Sequence, residues 1–253
     1  IADPASLLTI VTFGGPGKDF IEGGNGPDYI DSQLDDDVVA GGEGQDEVKA
    51  GLGDDEAWAE IDDDDLDGQH GVDTLVSVRD VVRLELSPDT LIHHDNEEGV
   101  GPALSTFTLN DSFEVARLTA GASDNVFVIS DWEGSVYVAA SGGNDRLLVS
   151  LDSDMTLTDV NLAFPWNAIF IGLHGFAKDG AVSLPDGQTY HLGSVENVQL
   201  TGGPGANHLD ASGYSRQAIL EGAGGDDVLE GGSGDDLFLF DADDPLGTDT
   251  IVG

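Results

Sequence analysis

The chain has 253 residues, no cysteine, and 50 Asp and Glu against eight Lys and Arg, for a formal charge of −42. That balance excludes nucleic acid and anionic membranes as partners, because both need basic side chains facing phosphate, and the missing cysteines exclude disulfides and thiolate metal sites. A hydrophobic content of 39% is too high for a chain disordered throughout.

Residues 1–13 read as a lead-in strand. The chain begins "IADPASLL" without methionine and ends "GTDTIVG" inside a pattern, so it is expected to be a piece of a longer polypeptide with further domains. From Gly14 to 76 it divides into nines: GGPGKDFIE, GGNGPDYID, SQLDDDVVA, GGEGQDEVK, AGLGDDEAW, AEIDDDDLD and GQHGVDTLV. All seven units carry Asp at the sixth place, as Asp19, Asp28, Asp37, Asp46, Asp55, Asp64 and Asp73. The eighth place is always apolar (Ile21, Ile30, Val39, Val48, Ala57, Leu66, Leu75), and glycine fills the fourth in five of the seven.

Glycine in the turn permits left-handed backbone angles, and the last three residues of each unit form a short strand pointing one apolar side chain inward. Turn and strand in alternation coil into a solenoid with two nonapeptides per rung. Asp19, Asp37, Asp55 and Asp73 then line one edge, and Asp28, Asp46 and Asp64 the other. Carboxylates about 5 Å apart repel by roughly 1 kcal/mol in water and by more where buried. A hard divalent cation between them reverses that sign. Calcium, with six to eight oxygens in flexible geometry, suits a turn that offers carbonyls beside each carboxylate, whereas magnesium demands tighter octahedral geometry.

GGxGxD followed by any residue and a large aliphatic one resembles the RTX, or haemolysin-type calcium-binding, repeat. The match is close from Gly14, Gly23 and Gly41, and returns in "GAGGDDVLE" (222–230) and "GGSGDDLFL" (231–239), with Asp227 and Asp236; a looser copy, "DPLGTDTIV", carries Asp249. The resemblance implies a parallel β-roll, several Ca²⁺ ions held by the sixth-place Asp, folding triggered by calcium, and export by a type I secretion system. The units at 32–40 and 59–67 depart from the pattern: they lose the glycine pair and place Asp35 and Asp62 where the fourth-place glycine belongs. Asp tolerates a left-handed backbone better than most residues, so the coil is expected to continue through them.

Residues 77–117 read as a connector and surface loop, with His93 and His94 exposed beside Asp95 and no strand pattern before "TFTL". Residues 118–201 read as a degenerate solenoid section: residues 118–150 align without gaps on 200–232 at an offset of 82. Asp145 thereby corresponds to Asp227 and joins the candidate ligands, while Asn125 and Asn207 put a neutral amide in the same place. "VFVIS", "VYVAA", "RLLVSL" and "MTLTDV" alternate as strands do, and "AVSLPDGQTYHL" reads as a hairpin over a Pro-Asp-Gly turn. "SVENVQLTGG" resembles a connector between RTX blocks of very large bacterial surface proteins. The longest apolar run, 162–177, is too short to span a bilayer and is broken by Pro165, Asn167 and His174. Residues 202–253 form a second, truncated repeat block.

The expected fold is thus all-β, a parallel β-roll or β-solenoid with two repeat blocks flanking a degenerate section. No nucleophile elbow, phosphate loop or zincin motif is present, Trp58, Trp132 and Trp166 read as core cover, and the chain is read as non-catalytic. The expected function is a calcium-binding structural module of a secreted or cell-surface protein, of adhesin or surface-layer type, with self-association or a cell-surface or extracellular-matrix component as partner. The alternative is the export and folding module of a type I-secreted protease, lipase or epimerase.

Overall fold

The computed structural model describes residues 8–60, 62, 64–110, 112–160, 179–240 and 247–253; the apolar run at 162–177, with Trp166, lies outside them. Every regular element among the described residues is a β-strand, and none is a helix long and apolar enough to cross a membrane. Backbone contacts divide the chain into two compact units, residues 1–120 with 132–136, and 121–131 with 137–253.

In the first unit each nonapeptide delivers one three-to-six-residue strand, and successive strands go alternately to two sheets. One sheet runs Val11–Pro16, Tyr29–Leu34, Glu47–Lys49, Asp65–Asp67, and the other Phe20–Glu22, Val38–Ala40, Glu56–Trp58, Thr74–Val78, Val115–Thr119. Pairing is parallel with a step of eighteen residues: Ile30 lies beside Val48 and Val48 beside Leu66, while Ile21, Val39, Ala57 and Leu75 stack in the facing sheet. These eighth-place side chains are all buried. Two nonapeptides therefore make one rung, because a strand in each sheet is needed to cover the other's apolar face.

The turns confirm the substitutions at the fourth place. Gly53 and Gly71 have φ of 147° and 151°, and Asp35 and Asp62 take φ of 74° and 72° in the glycine-poor units. The coil continues through them, since a short polar side chain pays less for the left-handed region than a branched one.

The expected loop before "TFTL" is corrected. Arg83–Leu86, Thr90–His94 and Ser105–Thr108 form an antiparallel meander, joined to Asp65 by parallel pairing at Thr108. Its first turn is "SPDT", closed by Ser87 N–H to the Thr90 carbonyl at 2.9 Å. His93 is fully buried rather than exposed. Its Nε2 lies 3.0 Å from Ser77 Oγ, and its ring meets the edge of Phe107 at 5.3 Å. Burial, helped by nearby Arg79 and His94, holds its pKa down to about 4, so it packs as a neutral core side chain. His94 is buried too.

In the second unit one sheet orders Val126–Ser130, Arg146–Ser150, Asn197–Thr201, Ala218–Glu221 and Leu237–Leu239. The other orders Thr189–Gly193, Asp179–Ser183, Met155–Asp159, His208–Gly213, Val228–Glu230 and Thr250–Val252. The predicted Pro-Asp-Gly hairpin is present, with Asp179–Ser183 antiparallel to Thr189–Gly193 and Gly187 N–H donating to the Leu184 carbonyl. Leu147, Val149, Leu157, Val198, Leu200, Leu209, Leu220 and Leu229 form its buried core, and Trp132 is buried in the first unit.

Candidate metal-ligand columns

The sixth-place residue sits at the last bend before each strand, so the eighteen-residue register that aligns the strands aligns the carboxylates too. The link between rungs is direct. The backbone N–H of Asp19 donates to Asp37 Oδ1 at 2.8 Å, that of Asp37 to Asp55 at 2.7 Å, and that of Asp55 to Asp73 at 2.9 Å. On the other edge Asp28 N–H donates to Asp46 Oδ1 at 2.8 Å and Asp46 N–H to Asp64 Oδ1 at 3.0 Å. The structure thus assembles the two predicted rows.

Asp37, Asp46, Asp55, Asp64 and Asp73 use Oδ1 to tie rungs and bury Oδ2. Oδ2 of Asp19, Asp37, Asp46, Asp55, Asp64 and Asp73 is buried with no hydrogen-bond donor; Asp28 differs, its Oδ2 accepting Gly24 N–H at 2.7 Å. An orphaned buried carboxylate oxygen is costly, and here the cost repeats rung by rung. Burial first, then the neighbouring carboxylates, pushes pKa values up: Asp55 to about 6, Asp64 and Asp73 to about 7. Asp46 and Asp227 are raised for the same leading reason.

Where the first place is glycine, as at Gly14, Gly41 and Gly68, it opens a cradle beside the orphan oxygen. A Cβ at Gly14 would lie 2.8 Å from Asp19 Oδ2 and 2.6 Å from the Ser32 carbonyl oxygen. That pairs a carboxylate of one rung with a main-chain oxygen of the next. Among the described residues no three His, Asp or Glu side chains cluster at one point, so side chains alone do not make a site. The oxygen-rich turn fits a hard cation that accepts carbonyl ligands, as calcium does.

In the second unit Asn125 N–H donates to Asp145 Oδ1 at 2.9 Å and Asn207 N–H to Asp227 Oδ1 at 2.7 Å, so the aligned pairs occupy equivalent places. Asp227 N–H in turn donates to Asp249 at 3.2 Å. Asn207 acts as a neutral spacer: its Oδ1 accepts Gly203 N–H at 2.8 Å and its Nδ2 lies 3.3 Å from Asp152 Oδ1. Asp236 is set apart from this row, its Oδ1 taking Ala218 N–H and its Oδ2 taking Gly232 N–H.

Two members of the rows are not nonapeptide residues. Glu114 Oε2 accepts Asp73 N–H at 2.8 Å, and Glu196 Oε2 accepts Asp145 N–H at 2.9 Å. A signal for them exists: "SFEVARLT" (112–119) and "SVENVQLT" (194–201) share Ser, Glu, Leu and Thr at one spacing, again 82 residues apart. It lies outside any nine-residue frame, so a search in nines passes over it.

Compared with protein families, the chain matches the RTX calcium-binding nonapeptide repeat in four copies, over residues 13–48, 41–75 and 212–244. No curated protein matches it. The chain carries RTX calcium-binding repeats, and the parallel two-sheet coil of its nonapeptides is a β-roll.

Proposed function

We propose that the stacked aspartates are calcium ligands and that the chain is a non-catalytic structural module of a secreted or cell-surface protein, ordered by calcium after export. The supporting observation is the series of buried Oδ2 atoms without donors at Asp19, Asp37, Asp46, Asp55, Asp64 and Asp73. The proposed ligands are these six, Asp28, and in the second unit Asp145, Asp227, Asp236 and Asp249, each with main-chain carbonyls of its turn.

Bound calcium supplies the positive charge that makes adjacent carboxylates tolerable, so its binding free energy becomes folding free energy. The chain's own residues do the rest. Oδ1 of Asp37, Asp46, Asp55, Asp64 and Asp73 sets the rung spacing by accepting the N–H of the aspartate one rung back, a first-place glycine at Gly14, Gly41 and Gly68 leaves room beside Oδ2, and the eighth-place aliphatic closes the core beneath. Where free calcium is low, as in a cytoplasm, repulsion along the rows keeps the chain loose. At the millimolar calcium outside cells, sites with dissociation constants of about 10⁻⁴ to 10⁻³ M fill.

Far-UV circular dichroism and hydrodynamic radius, measured in calcium and in excess EGTA, test this. Calcium is expected to produce the β-sheet spectrum and a contracted radius. An equally compact β-sheet chain in EGTA would refute it.

A further inference from the structure

The first aspartate row does not stop at the last nonapeptide. Beyond Asp73 the chain leaves the repeat, runs through the meander, and returns at Val115–Thr119, which pairs in parallel with Thr74–Val78. The residue entering that strand is Glu114, in the register place of a sixth-place Asp.

Its approach differs from a nonapeptide turn, and the difference explains the longer side chain. Both Glu114 and Val115 direct their N–H groups to the Asp73 carbonyl, at 3.2 and 3.1 Å. Ser112 sits over Gly68, taking Gly68 N–H on Oγ at 2.8 Å. From this path the extra methylene of Glu114 carries Oε2 back to Asp73 N–H at 2.8 Å, the bond that Asp73 itself makes to Asp55. The cradle is preserved as well. A Cβ at Gly68 would lie 2.8 Å from Asp73 Oδ2 and would collide with the Ser112 carbonyl oxygen, which replaces the carbonyl of the next nonapeptide. Asp73 is 1% exposed and its Oδ2 meets no donor. One rung end thus presents an orphan carboxylate oxygen, a main-chain oxygen and a second carboxylate. The arrangement recurs in the second unit, where Glu196 and Asn197 both donate to the Asp145 carbonyl at 3.1 Å and Glu196 Oε2 takes Asp145 N–H.

We propose that Glu114 is a calcium ligand that ends the Asp19–Asp73 row, forming with Asp73 and the Ser112 carbonyl one further site outside the nonapeptides. The proposal rests on the reading of the rows as calcium sites. It makes Ser-x-Glu a terminating element, which lets a repeat block end without leaving its last aspartate uncompensated.

Glu114→Gln is the informative variant, since the amide oxygen can still accept Asp73 N–H while the charge is gone. Calcium ions per chain are counted by native mass spectrometry and calorimetry for the wild type, E114Q, and E47Q, which alters an exposed glutamate off the rows. E114Q is expected to hold one ion fewer than wild type, and E47Q the same number. An unchanged count in E114Q, or an equal loss in E47Q, would overturn the proposal while leaving calcium on the aspartate rows intact. A wild type that binds no calcium would overturn both readings. Should E114Q not fold, carboxyl footprinting of wild type decides. Glu114 is exposed in the fold, so folding alone leaves it open to label. In saturating calcium its labelling is expected to fall several-fold below that of exposed Glu97, and equal labelling refutes ligation.

Discussion

Asp37 and Asp55 are joined across a rung by one bond, Asp37 N–H to Asp55 Oδ1 at 2.7 Å, while Asp55 Oδ2 is buried and receives nothing. In Asp37, Asp46, Asp55, Asp64 and Asp73 one oxygen therefore belongs to the scaffold and the other has no donor and is open to an ion. The two roles are separable by substitution.

Asp55→Asn keeps an acceptor for Asp37 N–H and removes the charge. In calcium it is expected to lose at least one bound ion. A site held at ten times its dissociation constant contributes about 1.4 kcal/mol, which should appear as a lower melting temperature in calcium. In EGTA the variant should be no less ordered than wild type, because a repelling charge has gone. An unchanged ion count would remove Asp55 from the ligand set.

Asn207→Asp is the reverse experiment. The side-chain amide lies 3.3 Å from Asp152 Oδ1, and the backbone N–H of Asn207 donates to Asp227 Oδ1 at 2.7 Å, so a carboxylate there would face Asp152 and add a charge next to Asp227 in the row. The variant is expected to be less stable than wild type in EGTA and to gain calcium dependence, read as a steeper rise in melting temperature with calcium. Equal stability in EGTA would show that the amide is not acting as a spacer.

Gly71 has φ of 151°, and a Cβ on it would collide with the Gly53 carbonyl oxygen. The backbone conformation alone costs a side chain about 1–3 kcal/mol. Gly71→Ala is expected to lower the unfolding free energy in calcium by at least that amount, with a lower midpoint in chemical denaturation. A midpoint at the wild-type value would mean that the turn relaxes without resistance.

Protons compete with calcium for the same oxygens. Asp64 and Asp73 are raised to about 7 in the fold, chiefly by burial, against about 3.9 in an unfolded chain. Protonation therefore stabilises the metal-free fold; the effect is complete below about pH 4 and is lost as pH rises through about 7. The calcium-free chain is expected to be more compact at pH 5 than at pH 8 by small-angle scattering, and calcium affinity to increase over that same interval. Equal metal-free dimensions at both pH values would contradict this sign.

Much of the first unit is legible in its spacing. Asp at every sixth place and an aliphatic at every eighth imply the eighteen-residue register, the two rows and the buried stack from Ile21 to Leu75, because a nine-residue unit has room for one turn and one strand. The polar turn residues Asp35 and Asp62 were equally readable from the backbone freedom of Asp. The meander at 83–108 was harder to see. His93 and His94 read as polar and exposed, yet pairing with Leu84 and Ser105 places His93 between Phe107 and Ser77, and one hydrogen bond with an aromatic edge makes an imidazole acceptable in a core.

The amino-acid order by itself determined the period, the inward side chains and which aspartates stand above one another, since these follow from residue spacing within single units. Tertiary structure alone decided how the rows through Asp73 and Asp145 end. Glu114 meets Asp73, and Glu196 meets Asp145, across 41 and 51 residues. No local spacing encodes those meetings; they arise when a strand returning from an excursion pairs in register with the last rung.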